Sequence, residues 1–400
     1  MCLPPSRRNS HAAVTDPVSP APAPDEGRVQ LVHRELVLLV VLVCVAAAGF
    51  LLTRAVVAGN DRMRRQDAAA WYDAARRDLG EERSADATTA LRRAAAKDPT
   101  NKRYQVALAA ALASSHQDEA ARQVLVGLRE IAPEDAEVNT ELARLDARRG
   151  DLTNARRYYQ SALNALWSPE QSERRQALRL ELIRLLLDHQ EKSRALAELL
   201  ILSAALPDVA APQVQAGRLL LEAGDPRSAL DRFSAALKLE PASAMALTGA
   251  GASAFALADY PRAMRYLSLV PARTADIVAM RELAELVLAH DPLAPRLSSD
   301  ERFRRLVGDV THARQRLIDC LPLAPSVMPA HQALDALQRE SMAFEPSLTV
   351  RAVRESPDAI ETGLELVDRI EQATERGCMP LAALDRALML VGRLHRMPER

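Results

Sequence analysis

The chain has 400 residues, 48% hydrophobic but only 3% aromatic, with a formal net charge of −1. That balance gives no case for a nucleic-acid or anionic-surface partner, which would call for a concentrated basic face. Four cysteines at unrelated spacings exclude a dense disulfide framework and a zinc module.

Residues 1–35 form a tail. As far as about Gly27 it carries Pro4, Pro5, Pro17, Pro20, Pro22 and Pro24 among small polar residues. So little apolar surface does not offset the entropy of ordering, and the tail is expected to be disordered. Cys2 reads as an incidental cysteine in preference to a lipidation site, since no signal sequence precedes it.

Leu36 to Thr53 is an uncharged run of eighteen residues. As a helix it spans ~27 Å, close to the hydrocarbon thickness of a bilayer. Arg54 can snorkel and let the helix extend to Gly59, so residues 36–59 are expected to be a retained transmembrane anchor. The alternatives are a buried core helix and a cleaved signal peptide; the late start and the length of the run argue against the latter. Arg28 and Arg34 precede the anchor, and Arg54, Arg62, Arg64 and Arg65 follow it. The positive-inside rule then favours the rest of the chain on the cytoplasmic side. A short, charge-balanced tail can itself be pushed outward, so an exported, periplasmic orientation is the alternative. Residues 60–66 read as a basic hinge.

From 67 to 292 the chain repeats. Ala210 to Ser243 shows the unit: Ala216, Gly217 and Leu220 share one face of a first helix, which Gly224 ends by its access to the left-handed conformation. Asp225 and Pro226 suit the cap and first turn of a second helix, on which Ala229, Phe233 and Ala236 share a face; Pro241 closes the unit. Pro207 and Pro241 are 34 residues apart, as are Pro99 and Pro133. Working from these prolines gives six units in near-register. Trp71, Ala75, Ala87, Leu91 and Ala94 mark the first, and Leu108, Ala109, Ala121, Leu125 and Leu128 the second. Leu142, Ala143, Gly150, Ala155, Tyr159 and Ala162 mark the third, and Leu182, Ile183, Leu186, Ala195 and Leu199 the fourth. The fifth is the unit described, and Ala250, Gly251, Ala263 and Leu267 mark the sixth. The third and sixth lose register at their ends, and a few extra residues separate the third from the fourth. Ile277, Met280, Leu283 and Val287 share a face of one more helix, which starts a degenerate seventh unit or caps the array.

This spacing resembles the tetratricopeptide repeat, a helix–turn–helix of 34 residues, over roughly half the chain. The resemblance implies an all-α, TPR-like α-solenoid, preceded here by a single transmembrane helix and followed by a small helical bundle. It also implies a groove lined by the first helix of each repeat, able to hold an extended peptide or a helix of a polypeptide partner. Chains with such repeats behind one amino-terminal anchor occur in bacteria, which would place this one in the inner membrane.

Carrying the family's groove positions onto this sequence puts Arg76, Arg144, Arg184 and Arg218 at the ninth position of four first helices, with Ala110 and Ala252 at the other two. Arginines so placed can bind carboxylates bidentately. The plainer reading is an intrahelical ion pair for each of three of them: Glu141 with Arg144, Glu181 with Arg184, Glu222 with Arg218. They do not match the lysine–asparagine clamp of chaperone-binding members. Near Met245, Thr248 and Phe255 the same register predicts a mostly apolar groove, suited to hydrophobic ligand side chains or, more often, to packing against the next repeat or the terminal domain. Gly249 to Ala254 fits the loose dinucleotide pattern but lacks a preceding strand, and Gly251 sits where close helix packing wants a small residue.

Residues 293–400 show no repeat. Ser298 and Glu301 make a capping box before a helix with Phe303, Leu306, Val310, Ala313 and Leu317 on one face. Two more helices are expected, one opened by Ser356 and Pro357 and ended by Gly377, the other opened by Pro380. Cys320 and Cys378 would form a disulfide if this region is exported; a buried free Cys320 is the alternative. The eight histidines show no metal-ligand spacing, and no phosphate loop or nucleophile elbow is present, so no cofactor, metal or catalytic residue is expected. The sequence thus reads as a membrane-anchored scaffold that binds a protein or peptide partner. The alternative is an enzyme or effector acting through residues 293–400.

Overall fold

The computed structural model describes residues 26–271, 274–323, 329–356, 358–377 and 380–396; residues 1–25 of the proline-rich tail, with Cys2, and Cys378 lie outside these, and residues 26–35, expected to belong to the tail, are helical. All regular structure among the described residues is helical. The chain forms two compact units, residues 1–149 and 150–400.

The first unit begins with α1 (Glu26–Gly80), one helix of 55 residues. It carries the apolar run, the basic segment and the first helix of the first repeat without a break. Residues 60–66, expected as a hinge, are therefore helical. No proline falls within α1, and Gly49 and Gly59 cost only about 1 kcal/mol each relative to alanine, too little to interrupt it. From Arg34 onward the helix is long and apolar enough to cross a membrane, with mean hydropathy 3.0 over an 18-residue window; a signal sequence meets the same criterion. From Arg34 to Asp67 the helix is exposed, and Ala68 is buried. There α1 packs on α2 (Ser84–Lys97), with Ala75 and Ala87 fully buried. The next helices are α3 (Lys102–Ser114), α4 (Asp118–Ile131) and α5 (Ala136–Arg148). Asn101 caps α3, and Asp135 caps α5 by accepting from the Glu137 and Val138 N–H groups, both at 3.0 Å.

The second unit contains α6 (Leu152–Leu163), α7 (Ser172–Asp188), α8 (Lys192–Ala204), α9 (Ala210–Ala223), α10 (Pro226–Leu239), α11 (Ala244–Ala256), α12 (Tyr260–Ser268) and α13 (Ala275–His290). After these come α14 (Ser299–Cys320), α15 (Pro329–Phe344), α16 (Val350–Glu355), α17 (Asp358–Gly377) and α18 (Ala383–Arg396).

The repeat register is written in the backbone. Glu82, His116, Gly150, Gln190, Gly224 and Ala258 each take positive φ at the turn between the two helices of a repeat. Their numbers differ by 34, 34, 40, 34 and 34. The odd interval is a six-residue insertion holding a 3-10 turn (Pro169–Gln171), and the Trp167 indole N–H donates to the Ala162 carbonyl at 2.9 Å to fold it back. Only two of these six left-handed positions are glycine, so a search for glycine alone misses four of the turns.

The expected boundary at residue 293 does not separate two cores. Tyr260, Ala284 and Val287 belong to the same buried cluster as Leu306, Val310, Leu334, Ile360, Val367 and Leu388. α13 packs on α18, which explains why its apolar face continues past the last repeat. The Ser298 cap is present, with its hydroxyl accepting from the Glu301 N–H at 3.2 Å. α15 and α16 have no counterpart in the sequence reading, and α18 starts at Ala383, three residues after Pro380.

Candidate functional site: an apolar cavity over Phe233

Phe233 is the largest fully buried side chain of the second unit. Its ring lies under α9 and α11 because both helices have glycine where it passes. A Cβ at Gly249 would stand 2.2 Å from the ring, and one at Gly217 would stand 2.9 Å from it. Gly251 does the same for Leu267, at 2.5 Å. The glycines of the pseudo-dinucleotide segment therefore serve helix packing within α11.

Beside that ring, Ala244, Thr248, Gly249 and Ala252 of α11 are small, and they line, with Met245, a cavity of about 690 Å³. Phe233, Gly249 and Ala252 line it, with Val270 and Ile277 opposite. Met245, two-thirds exposed, and Thr248 stand at its edge; Arg218 and Glu222 close the α9 side. Both charged residues are exposed, and no ion pair joins them among the described residues, so the expected pairing within α9 is absent. The volume is that of a small-ligand or side-chain pocket, and the lining is mostly apolar with a few polar groups.

The structure brings together Arg218, Met245 and Thr248, three of the residues expected in the groove. Phe255 goes elsewhere: it packs edge-on against Tyr260 at 5.3 Å between ring centres and joins the core shared with the terminal helices. Arg76 is exposed on α1. Arg144 pairs with Glu141 at 2.8 Å, as the local reading held. Arg184 is exposed, and Glu181 accepts from the Tyr159 hydroxyl at 3.3 Å.

A second polar constellation, which the sequence did not announce, lies in the terminal helices. Arg316 on α14 donates to Asp385 of α18 at 2.5 Å and to the Thr374 hydroxyl of α17 at 2.9 Å. Asp368 and Glu371 of α17 are fully buried beside them. Burial, reinforced by the Asp385 charge, pushes the Glu371 carboxyl up to about 7. Three histidine–aspartate pairs tie the same region together: His290 with Asp309 at 2.6 Å, His312 with Asp385 at 2.7 Å and His395 with Asp291 at 2.8 Å. Burial raises the Asp309 carboxyl, offset in part by His290. Cys320 is fully buried and disulfide-bonded; Cys378, its expected partner, lies outside the described residues.

No family model and no curated protein matches the chain. Solved structures do resemble it. YrrB, described as a TPR protein with an unusual peptide-binding site, is 19% identical with a TM-score of 0.37, over 49% of this chain and 95% of that one. PilW, a widely conserved type IV pilus biogenesis factor, is 19% identical with a TM-score of 0.37, over 50% and 90%. A tetratricopeptide repeat protein from Parabacteroides merdae is 13% identical with a TM-score of 0.37, over 69% and 99%. Two of these three solved structures are described as tetratricopeptide repeat proteins.

Proposed function

We propose that this protein is a membrane-tethered scaffold that holds a polypeptide partner, with the cavity over Phe233 as the anchor for one bulky apolar side chain. The cavity carries this reading. It is open in the chain as folded, with the Phe233 ring that Gly217 and Gly249 admit as part of its lining, and it is mostly apolar with one cation and one anion among its lining residues. Arg218 and Glu222 suit the backbone or flanking charges of an extended segment, and the apolar floor suits a leucine, methionine or phenylalanine. Arg184 supplies a further exposed cation at the equivalent first-helix position of its own repeat.

The test is binding of fluorescent peptides to the full chain in detergent. Peptides with a central leucine or phenylalanine should bind and their alanine versions should not. Ala252→Phe, which fills the cavity from its α11 wall, should abolish that difference. Equal binding to the filled variant would remove the cavity from the account.

α1 supports the tether by its length and hydropathy. For orientation, the arginine count after the anchor favours the cytoplasm, whereas the disulfide on Cys320 favours an oxidising compartment. We give the disulfide more weight, because two extra arginines are a small bias and structural disulfides are rare in reducing compartments. A reporter fused after Arg400 that works on one side of the membrane only decides between them.

A further inference from the structure

We propose that His312, Glu371 and Asp385 bind a divalent transition-metal ion of the zinc class, joining α14, α17 and α18. One donor atom from each of the three lies within 4.8 Å of the other two. His312 Nε2 is 2.7 Å from Asp385 Oδ1, a hydrogen bond; tetrahedral bonds of about 2 Å would set the two donors about 3.3 Å apart, so an ion would take the place of the shared proton after a shift of about half an ångström. The other oxygen of Asp385 is already fixed: Oδ2 accepts from Arg316 Nη1 at 2.5 Å and from the Ala382 N–H at 2.7 Å. That is the arrangement of an outer shell that orients a ligating carboxylate.

Glu371 points to the missing partner. It is fully buried, and neither of its oxygens accepts a hydrogen bond. Arg316 Nε stands 3.0 Å from Oε2, but its N–H donates to Thr374 instead. A buried carboxylate left without a hydrogen bond is costly and rare. The local charges close only through a proton: Asp368, Glu371 and Asp385 face Arg316, Arg396 (paired with Asp368) and the His312 imidazole beside Asp385. With His312 neutral, as a metal ligand must be, one negative charge remains. A proton can neutralise it, consistent with the raised Glu371 carboxyl, and so can a cation. His312 is 39% exposed at the edge of the cluster and offers the ion a way in. An imidazole with two carboxylates suits zinc or its transition-metal neighbours better than calcium or magnesium, which favour all-oxygen sites. Three protein ligands also leave a position open to water.

The site is independent of the peptide cavity, so the two readings fail separately. Isothermal titration of the EDTA-treated, dialysed full chain in detergent with Zn²⁺ at pH 7.5 should show one saturable site. Neither Ca²⁺ nor Mg²⁺ should displace the ion. His312→Ala and Glu371→Gln should each weaken binding at least tenfold, while His395→Ala, which disturbs only the pair with Asp291, should leave it unchanged. Binding should also weaken at least tenfold from pH 7.5 to 5.5, as protons compete for the ligands. Co²⁺ should give a visible absorption spectrum in the wild-type chain, a readout that does not depend on any variant folding. Absence of a stoichiometric Zn²⁺ site and of a Co²⁺ spectrum in the wild type would overturn the assignment. So would Zn²⁺ binding that is unchanged in both ligand variants.

Discussion

Helices α9–α12 and helices α14–α18 lie in the same unit and solve packing in opposite ways. The first group closes its helices by removing side chains: Gly217, Gly249 and Gly251 let Phe233 and Leu267 lie against backbone. The second buries charge: Asp309, Arg316, Asp368, Glu371 and Asp385 are all inside. Small-residue packing tolerates variation wherever the volume is kept, and it leaves cavities at surfaces, which is what a binding groove needs. A buried ionic cluster gives no such tolerance, because removing one partner strands the others at a cost larger than the pair was worth.

The largest effect should come from breaking the charged region at its centre. Arg316→Met keeps the aliphatic length but leaves Asp385 and Glu371 facing each other. Denaturant unfolding of the full chain at pH 8 should show a loss of about 3–5 kcal/mol. Part of that should return at pH 5.5, where the carboxyls can take up protons. A loss under 1 kcal/mol would show that the cluster is better solvated than its burial implies.

Glu371→Gln should act in the other direction and with a defined pH dependence. The folded value of about 7 lies above the ordinary 4.5, so the folded chain keeps a proton that the unfolded chain releases. Stability linked to this group is therefore full below about pH 4.5 and declines as the pH rises to about 7. Glutamine has no such proton to lose. In metal-free buffer the variant should gain on the wild type by on the order of 3 kcal/mol between pH 4.5 and 8. An equal difference at both pH values would show that Glu371 is ionised throughout.

What was legible in the sequence follows the same division. The hairpins were readable because their signals are local: Gly224, Asp225 and Pro226 are neighbours, and the apolar faces recur within one or two turns. The cavity was half readable. Arg218, Met245 and Thr248 were placed by repeat register, but Phe233 as its floor and Ile277 as its far wall depend on how three hairpins stack. Phe255 stayed open between groove and packing, because register cannot tell a groove from a face that a later helix covers; it packs in the core shared with the terminal helices. The ionic cluster was not readable. His312 and Arg316 meet Thr374 and Asp385 across 58 to 73 residues, with no periodicity to mark them. The unbroken α1 was missed for another reason: basic residues suggested a hinge, yet arginine is a good helix former and nothing there ends a helix.

The glycine packing of the first group is sharpened by Gly249→Ala. Alanine favours the helix by about 1 kcal/mol, but its Cβ meets the Phe233 ring. Overpacking of this kind costs about 1–3 kcal/mol, so the net change in urea unfolding should be a modest loss. Adding Phe233→Leu should recover part of it, giving a coupling between the two sites that independent substitutions lack. Strict additivity would mean that the ring moves aside freely and that the cavity floor is soft.

The smallest effect should come from Asp225→Ala, and its size is what makes it useful. Asp225 accepts from the Ser228 N–H at 3.0 Å and so caps α10. Loss of such a cap costs about 1 kcal/mol. Pro226 at the first helical position has no N–H to lose, and water reaches the turn, so the damage stays in the first turn of the helix. Phe233 lies about two turns further on. Thermal unfolding should therefore shift down by a few degrees, while affinity for an apolar peptide changes less than twofold. If affinity instead falls with stability, the floor of the cavity is coupled to the end of α10, and the repeat answers as one body where its packing suggests separable parts.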